Sequence, residues 1–163
     1  MQKKRKTDWQ VTPARPGDGV QLAAVLRAQD RAELSATHPG QDPAECLEKF
    51  IAASSVSVCV KDGTQPVLLA GVYHPYVQVP CALVWLLSGE KVARRPIAFF
   101  KLARFFLHAW TQYYGELFNY VDARYGAALL FAKRLGGILQ NDTTYFSGKL
   151  FLKCTFRRNT WEE

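Results

Sequence analysis

This chain has little with which to build a covalent or metal scaffold. Its 163 residues include four cysteines and one methionine. Cys46, Cys59, Cys81 and Cys154 form no CxxC pair, and none has a histidine partner nearby in sequence. A disulfide framework and a structural zinc site are both poorly served by that pattern. Cys59, Cys81 and Cys154 sit in apolar, strand-like segments, which suits buried thiols in a reducing compartment. Long hydrophobic runs are also missing. The longest uncharged stretch, Gly63 to Gly89, is broken by Pro66, His74, Pro75, Gln78 and Pro80. A spanning helix needs about 20 mostly apolar residues without such breaks. The basic run Lys3-Lys4-Arg5-Lys6 leads into Thr7-Asp8-Trp9-Gln10, not into an apolar segment, so no secretory leader is expected. There is no internal repeat and no low-complexity segment.

What is present is a globular composition, 48% hydrophobic and 21% charged. The length suits one domain, expected over residues 9–163 behind a flexible basic tail at 1–8. The formal net charge of +7 is concentrated in two places. Lys3 to Lys6 form one. Lys91, Arg94, Arg95, Lys101 and Arg104 form the other, with no acidic residue between positions 91 and 104. A basic run of the first kind can touch nucleic acid, but it reads more simply as a solvated terminus.

Periodicity and turn residues give the element order. Trp9 to Thr12 reads as a strand. Val20 begins a helix predicted to run to about Ser35, and His38-Pro39-Gly40 ends it. Asp42-Pro43 opens a second helix carrying Cys46, Leu47, Phe50 and Ile51 on one face. Ser55–Val60 and Val67–Tyr73 read as a hairpin around Asp62-Gly63. The nearly continuous apolar run Val79–Leu87 reads as a strand covered on both faces. Pro96 suits the first turn of a long helix reaching about Tyr113. Leu117–Val121 is a short strand, and Asp122 is expected to cap a helix from about Ala123 to Leu135. Ile138–Gln140 and Tyr145–Phe156 close the chain as strands. The fold class is α/β: a mixed, mostly antiparallel central sheet with helices on both faces.

That order resembles the GNAT N-acetyltransferase fold. Several segments resemble a narrower group, the GNAT-like internal-core or scaffold-type assembly proteins of short-tailed phages. They are Leu26 to Leu34, Val84-Trp85-Leu86-Leu87-Ser88-Gly89, Ala93 to Phe99, Asn119-Tyr120-Val121-Asp122-Ala123-Arg124, and Arg134-Leu135-Gly136. The resemblance covers about residues 9–140. It implies a role in virion morphogenesis without efficient catalysis, with phage portal or core proteins as partners and a homo-oligomer as a further expectation. It also implies a location in the host cytoplasm during assembly or in the virion, with no membrane contact. Contact with nucleic acid through Lys3–Lys6 is a lesser expectation.

The alternative is an active acetyl-CoA-dependent N-acetyltransferase. Enzymes of this fold hold pyrophosphate at a helix N-terminus through a loop of the form Arg/Gln-x-x-Gly-x-Gly/Ala. Here the segment reads Lys91-Val92-Ala93-Arg94-Arg95-Pro96-Ile97-Ala98, with no glycine between Gly89 and Gly115. Arg94 and Arg95, with Leu87 at the end of the central strand, are the candidate cofactor-binding residues. The late-helix signature Asn-x-x-Ala-x-x-x-Tyr, ending in Gly-Phe, is altered too. Tyr125 stands at the Asn position, Ala128 keeps the Ala, Ala132 replaces the Tyr, and Gly137 replaces the Phe. An alanine cannot return a proton to a leaving thiolate. No cofactor is expected on the assembly reading, and acetyl-CoA on the alternative. If catalysis is retained, Glu33, His74 and Tyr125 are the candidates, Glu33 and Asp30 otherwise being a polar helix face. Trp110, Phe100, Tyr114, Lys101 and Arg104 on the long helix are candidates for a protein-interaction surface.

Overall fold

The computed structural model describes residues 8–76 and 78–158. The basic run Lys3–Lys6, expected as a tail, lies outside the described residues. The elements follow as β1 (Gln10–Pro13), α1 (Asp18–Ala23), α2 (Ala28–Thr37), α3 (Pro43–Ala53), β2 (Val56–Asp62), β3 (Gln65–Tyr73) and β4 (Cys81–Ser88). A 3-10 turn (Glu90–Arg94) leads to α4 (Pro96–Tyr114), β5 (Glu116–Asp122), α5 (Gly126–Arg134), β6 (Ile138–Phe146) and β7 (Lys149–Phe156). The seven strands form one sheet in the order β1-β2-β3-β4-β5-β7-β6. All neighbours run antiparallel except β4 and β5. The expected fold class is the observed one. Among the described residues no helix is long and apolar enough to cross a membrane.

Alternation along β3 and β4 builds two cores. Leu68, Ala70, Val72, Ala82 and Val84 face α4 and α5, packing with Phe99, Ala103, Phe106 and Trp110. Cys59, Leu69, Trp85 and Leu87 face the other way, against Leu22, Leu26, Leu34 and Leu47 of the first three helices and their links. A strand buried on both faces reads as continuous hydrophobicity, which is the pattern of β4. The ring of Trp85 lies across Gly71: a Cβ added there would come within 2.7 Å of Trp85 Cζ2. Trp85 Nε1 donates to Ser54 Oγ at 2.8 Å, which satisfies the buried indole.

Two local expectations are corrected. The helix expected from Val20 to Ser35 is two helices. At Val25–Arg27 the chain leaves α1 and pairs with the end of β4. Leu26 forms an antiparallel bridge with Gly89, Arg27 N–H donates to Ser88 O at 3.0 Å, and Glu90 N–H donates to Val25 O at 3.1 Å. Asp122 is not a helix cap. α5 starts four residues later, with Tyr125 at its N-cap position. Asp122 is instead a buried carboxylate at the end of β5, held by Arg124 at 2.6 Å.

Candidate active site

β4 and β5 pair over three residues only, Cys81–Leu83 with Glu116–Phe118. Beyond Leu83 the strands diverge, and a cavity of about 320 Å³ lies in the V between them. That volume falls within the range of small-molecule sites, about 300–1,000 Å³. Val84, Trp85 and Leu86 line it from β4, and Asn119, Tyr120 and Val121 from β5. Its lining reaches both faces of the sheet. On one side stand Arg27, Gln29, Asp30 and Glu33 from the start and body of α2. On the other, Ala103 of α4 and Ala127, Ala128 and Ala132 of α5 leave room because their side chains are short. Phe99 and Phe131 stack 4.9 Å apart where α4 meets α5.

Asp30 and Glu33 line the α2 end of the cavity and Asp122 acts on Glu33 from the end of β5; two of these three carboxylates are compensated. Asp30 is 3% exposed and accepts four hydrogen bonds. Ser88 N–H and Ser88 Oγ–H reach its Oδ2 at 2.9 and 2.8 Å. Arg27 Nε donates to Oδ2 at 3.2 Å and an Arg27 terminal nitrogen to Oδ1 at 3.3 Å. Asp122 is clasped by Arg124, whose hydrogen bonds hold its carboxyl below the usual carboxylate range. Glu33 lies one turn past Asp30 and lines the cavity. Burial, reinforced by the charges of Asp30 and then Asp122, pushes its pKa from 4.5 up to about 8, and Arg27 partly opposes this. A half-buried carboxyl that titrates near neutrality beside an apolar cavity is suited to accept a proton from a substrate.

Solved acetyltransferases share this chain's overall fold. Spermidine N-acetyltransferase from Vibrio cholerae, solved with CoA and spermine, matches with a TM-score of 0.72 at 11% identity, covering 95% of this chain and 98% of that one. This is the GNAT fold. A GNAT-family acetyltransferase from Streptococcus pneumoniae matches with a TM-score of 0.63 at 12% identity, over 92% of this chain and 99% of that one. The Streptococcus mutans protein smu.2055 matches with a TM-score of 0.68 at 18% identity, over 92% and 99%. No family model and no curated protein sequence matches the chain. The neighbours support the fold expected from the sequence and lend nothing to the narrower phage-assembly assignment.

Seen as a GNAT fold, the expected site residues separate. Glu33 lines the cavity; His74 and Tyr125 do not. His74 Nε2 is 2.8 Å from Val79 O, and its ring meets Tyr114 edge-on. Tyr125 lies at the start of α5 under the Arg124 guanidinium. Arg94 is exposed on the 3-10 turn, and Arg95 stacks 4.8 Å over Trp9. The Leu87 side chain, expected near the cofactor, is buried in the core shared with Leu22 and Leu47. Among the interaction candidates, Trp110 is 8% exposed and lines the cavity, so it belongs to the interior and not to an outer surface. Phe100 meets Phe131 edge-on, and Tyr114 is half-buried. Lys101 and Arg104 are exposed on the outer face of α4. The position of the family's tyrosine is Ala132, buried in the cavity wall. Tyr120 is the phenol in that lining.

The residues present accommodate acetyl-CoA unevenly. The V and its alanine-lined wall offer room for a thioester arm. The turn before α4 carries Lys91 and Arg94, and the first turn of α4 has no acidic residue to repel phosphate. The glycine-rich loop is missing, however, and Pro96 at the first position of α4 supplies no N–H.

Proposed function

We propose that the protein is an acetyl-CoA-dependent N-acetyltransferase acting on an amine. The observation that carries this reading is the position of Glu33. Among the described residues no cation forms an ion pair with this carboxylate, which stands at the α2 end of a cavity that passes between the diverging strands. An amine is the acceptor that needs such a group, because its ammonium form must lose a proton before nitrogen can attack.

Bound acetyl-CoA would supply the activated acetyl thioester. Arg94, Arg95 and the first-turn amides of α4 would hold its phosphates by charge-assisted hydrogen bonds. Ala103, Ala128 and Ala132 would admit the arm to the V. Glu33 would take the ammonium proton and so free the amine to attack the acetyl group that bound acetyl-CoA would present. CoA thiolate would be the leaving group, and Tyr120, in the cavity lining, would return a proton to its sulfur. Compared with a glycine-rich site, phosphate binding here relies more on side-chain charge, so it should weaken more steeply with salt.

Calorimetric titration with CoA, together with thiol release in the presence of spermine, lysine peptides and arylalkylamines, tests this reading. Binding and turnover are expected, with Arg94→Glu and Arg95→Glu each lowering CoA affinity about tenfold, the equivalent of about 1.4 kcal/mol. Absence of CoA binding to the wild-type chain would overturn it.

A further inference from the structure

Asp30 joins two parts of the molecule that chain order keeps apart. It lies in the first turn of α2, and its partner Ser88 ends β4, 58 positions later. Its Oδ2 takes both the backbone N–H and the hydroxyl of Ser88. Immediately after Ser88 come Gly89, bridged to Leu26, and the basic turn that opens into α4. A side chain at Gly89 would meet Val25 O at 3.1 Å, so the crossing is tight. Glu33 follows Asp30 by three residues and shares its helix face.

We propose that Asp30 is a positioning residue that ties the candidate base on α2 to the loop carrying the candidate phosphate-binding arginines. This rests on the acetyltransferase reading for its purpose, but the coupling itself is a property of the free protein. A structural tie alone would be met by any hydrogen-bonding side chain of this shape. A buried carboxylate does more. It fixes Ser88 through two donors, and it places a negative charge one helical turn from Glu33. The groups facing Glu33 are Asp30 and Arg27 from its own segment and Asp122 from β5, the last neutralised by Arg124 and near Lys149. Of the two carboxylates, Asp30 has the larger effect on Glu33.

The test is a carbon-detected NMR titration of the Glu33 carboxyl in the ligand-free full chain, assigned by its loss in Glu33→Gln. Asp30→Asn keeps the shape and an acceptor for Ser88 but removes the charge. The Glu33 midpoint is expected to fall by about one pH unit, within the span a neighbouring like charge produces. Arg27→Gln is expected to move it the opposite way. In Asp30→Ala, which removes the acceptor for Ser88, CoA affinity should drop about tenfold, through the Ser88–Arg95 loop. An unmoved Glu33 midpoint in folded Asp30→Asn overturns the proposal. If Asp30→Asn does not fold, an unmoved or lowered midpoint in Arg27→Gln does so. A shifted midpoint in a chain that binds no CoA supports the coupling while refuting the acetyltransferase reading, so the two failures are distinct.

Discussion

Replacing Glu33 with glutamine should lower activity and raise stability, and the stability gain should depend on pH. In the folded protein Glu33 titrates at about 8 instead of 4.5. Between those values the unfolded chain has released its proton and the folded chain has kept it. The unfolded state then binds fewer protons, so stability falls as pH rises from about 4.5 to 8. At about 1.4 kcal/mol per unit, ionising this site costs on the order of 5 kcal/mol above pH 8. Glutamine cannot ionise. Urea denaturation at pH 5 should therefore leave Glu33→Gln within about 1 kcal/mol of wild type, because pH 5 is only slightly above the 4.5 at which the unfolded chain begins to lose this proton. At pH 8.5 the variant should be more stable by several kcal/mol. Activity should move in the opposite direction. Wild-type kcat/KM should climb about tenfold per pH unit up to pH 8 and then level off. The variant should lose about 10²–10⁴ in rate and the rising limb with it. An equal stability difference at pH 5 and pH 8.5 would refute the reasoning, because it would mean that the folded protein does not suppress ionisation at this position.

Three further outcomes follow from the packing. Gly71→Ala pushes a methyl to 2.7 Å from the Trp85 ring; overpacking should cost about 1–3 kcal/mol, and loss of the Trp85–Ser54 hydrogen bond about 1 more, read from the urea midpoint. Ala128→Trp projects an indole into the cavity from a half-buried position; CoA affinity should fall at least about tenfold while the melting temperature stays within a few degrees of wild type. A thiol reagent at pH 8 should label half-buried Cys81 first, because burial pushes Cys59 to about 12 and Cys154 to about 11; early labelling of Cys59 in the folded chain would contradict the core described above.

Where an element's signal is local, the sequence shows it. The Asp62-Gly63 hairpin, the Pro96 helix start, the apolar face of α3 and the doubly buried run of β4 each follow from residues within one turn or one strand. The break between α1 and α2 does not. Leu26 and Arg27 suit a helix by propensity, and only their pairing with Ser88–Glu90 draws them out of it. Asp122 carries the residue type of a helix cap, but its partner is Arg124 and its neighbour across space is Glu33, so its role depends on the tertiary arrangement. Glu33 and Asp30 read in sequence as an ordinary polar i, i+3 pair. The apolar cavity and the approach of β5 turn one of them into a group that titrates near neutrality. Trp110 shows the same limit from the other side: an aromatic assigned to the outer stripe of α4 points into the V, because the parted strands leave a space for it to border.

The three-residue clasp between β4 and β5 also bears on how the chain comes together. Strands β1 to β4 occupy residues 10–88 and form one antiparallel run with α1 to α3. Strands β5 to β7 occupy residues 116–156 and form another with α5. Each run is continuous in sequence, and α4 is the bridge between them. The molecule is thus two consecutive blocks docked edge to edge at one end, and most of its strand contacts can form before the blocks meet. Docking is then the step with the greatest loop-closure cost and the smallest hydrogen-bonded reward. A ligand seated in the V would brace that weak joint, so its binding should appear as increased cooperativity between the blocks as well as a higher midpoint of unfolding.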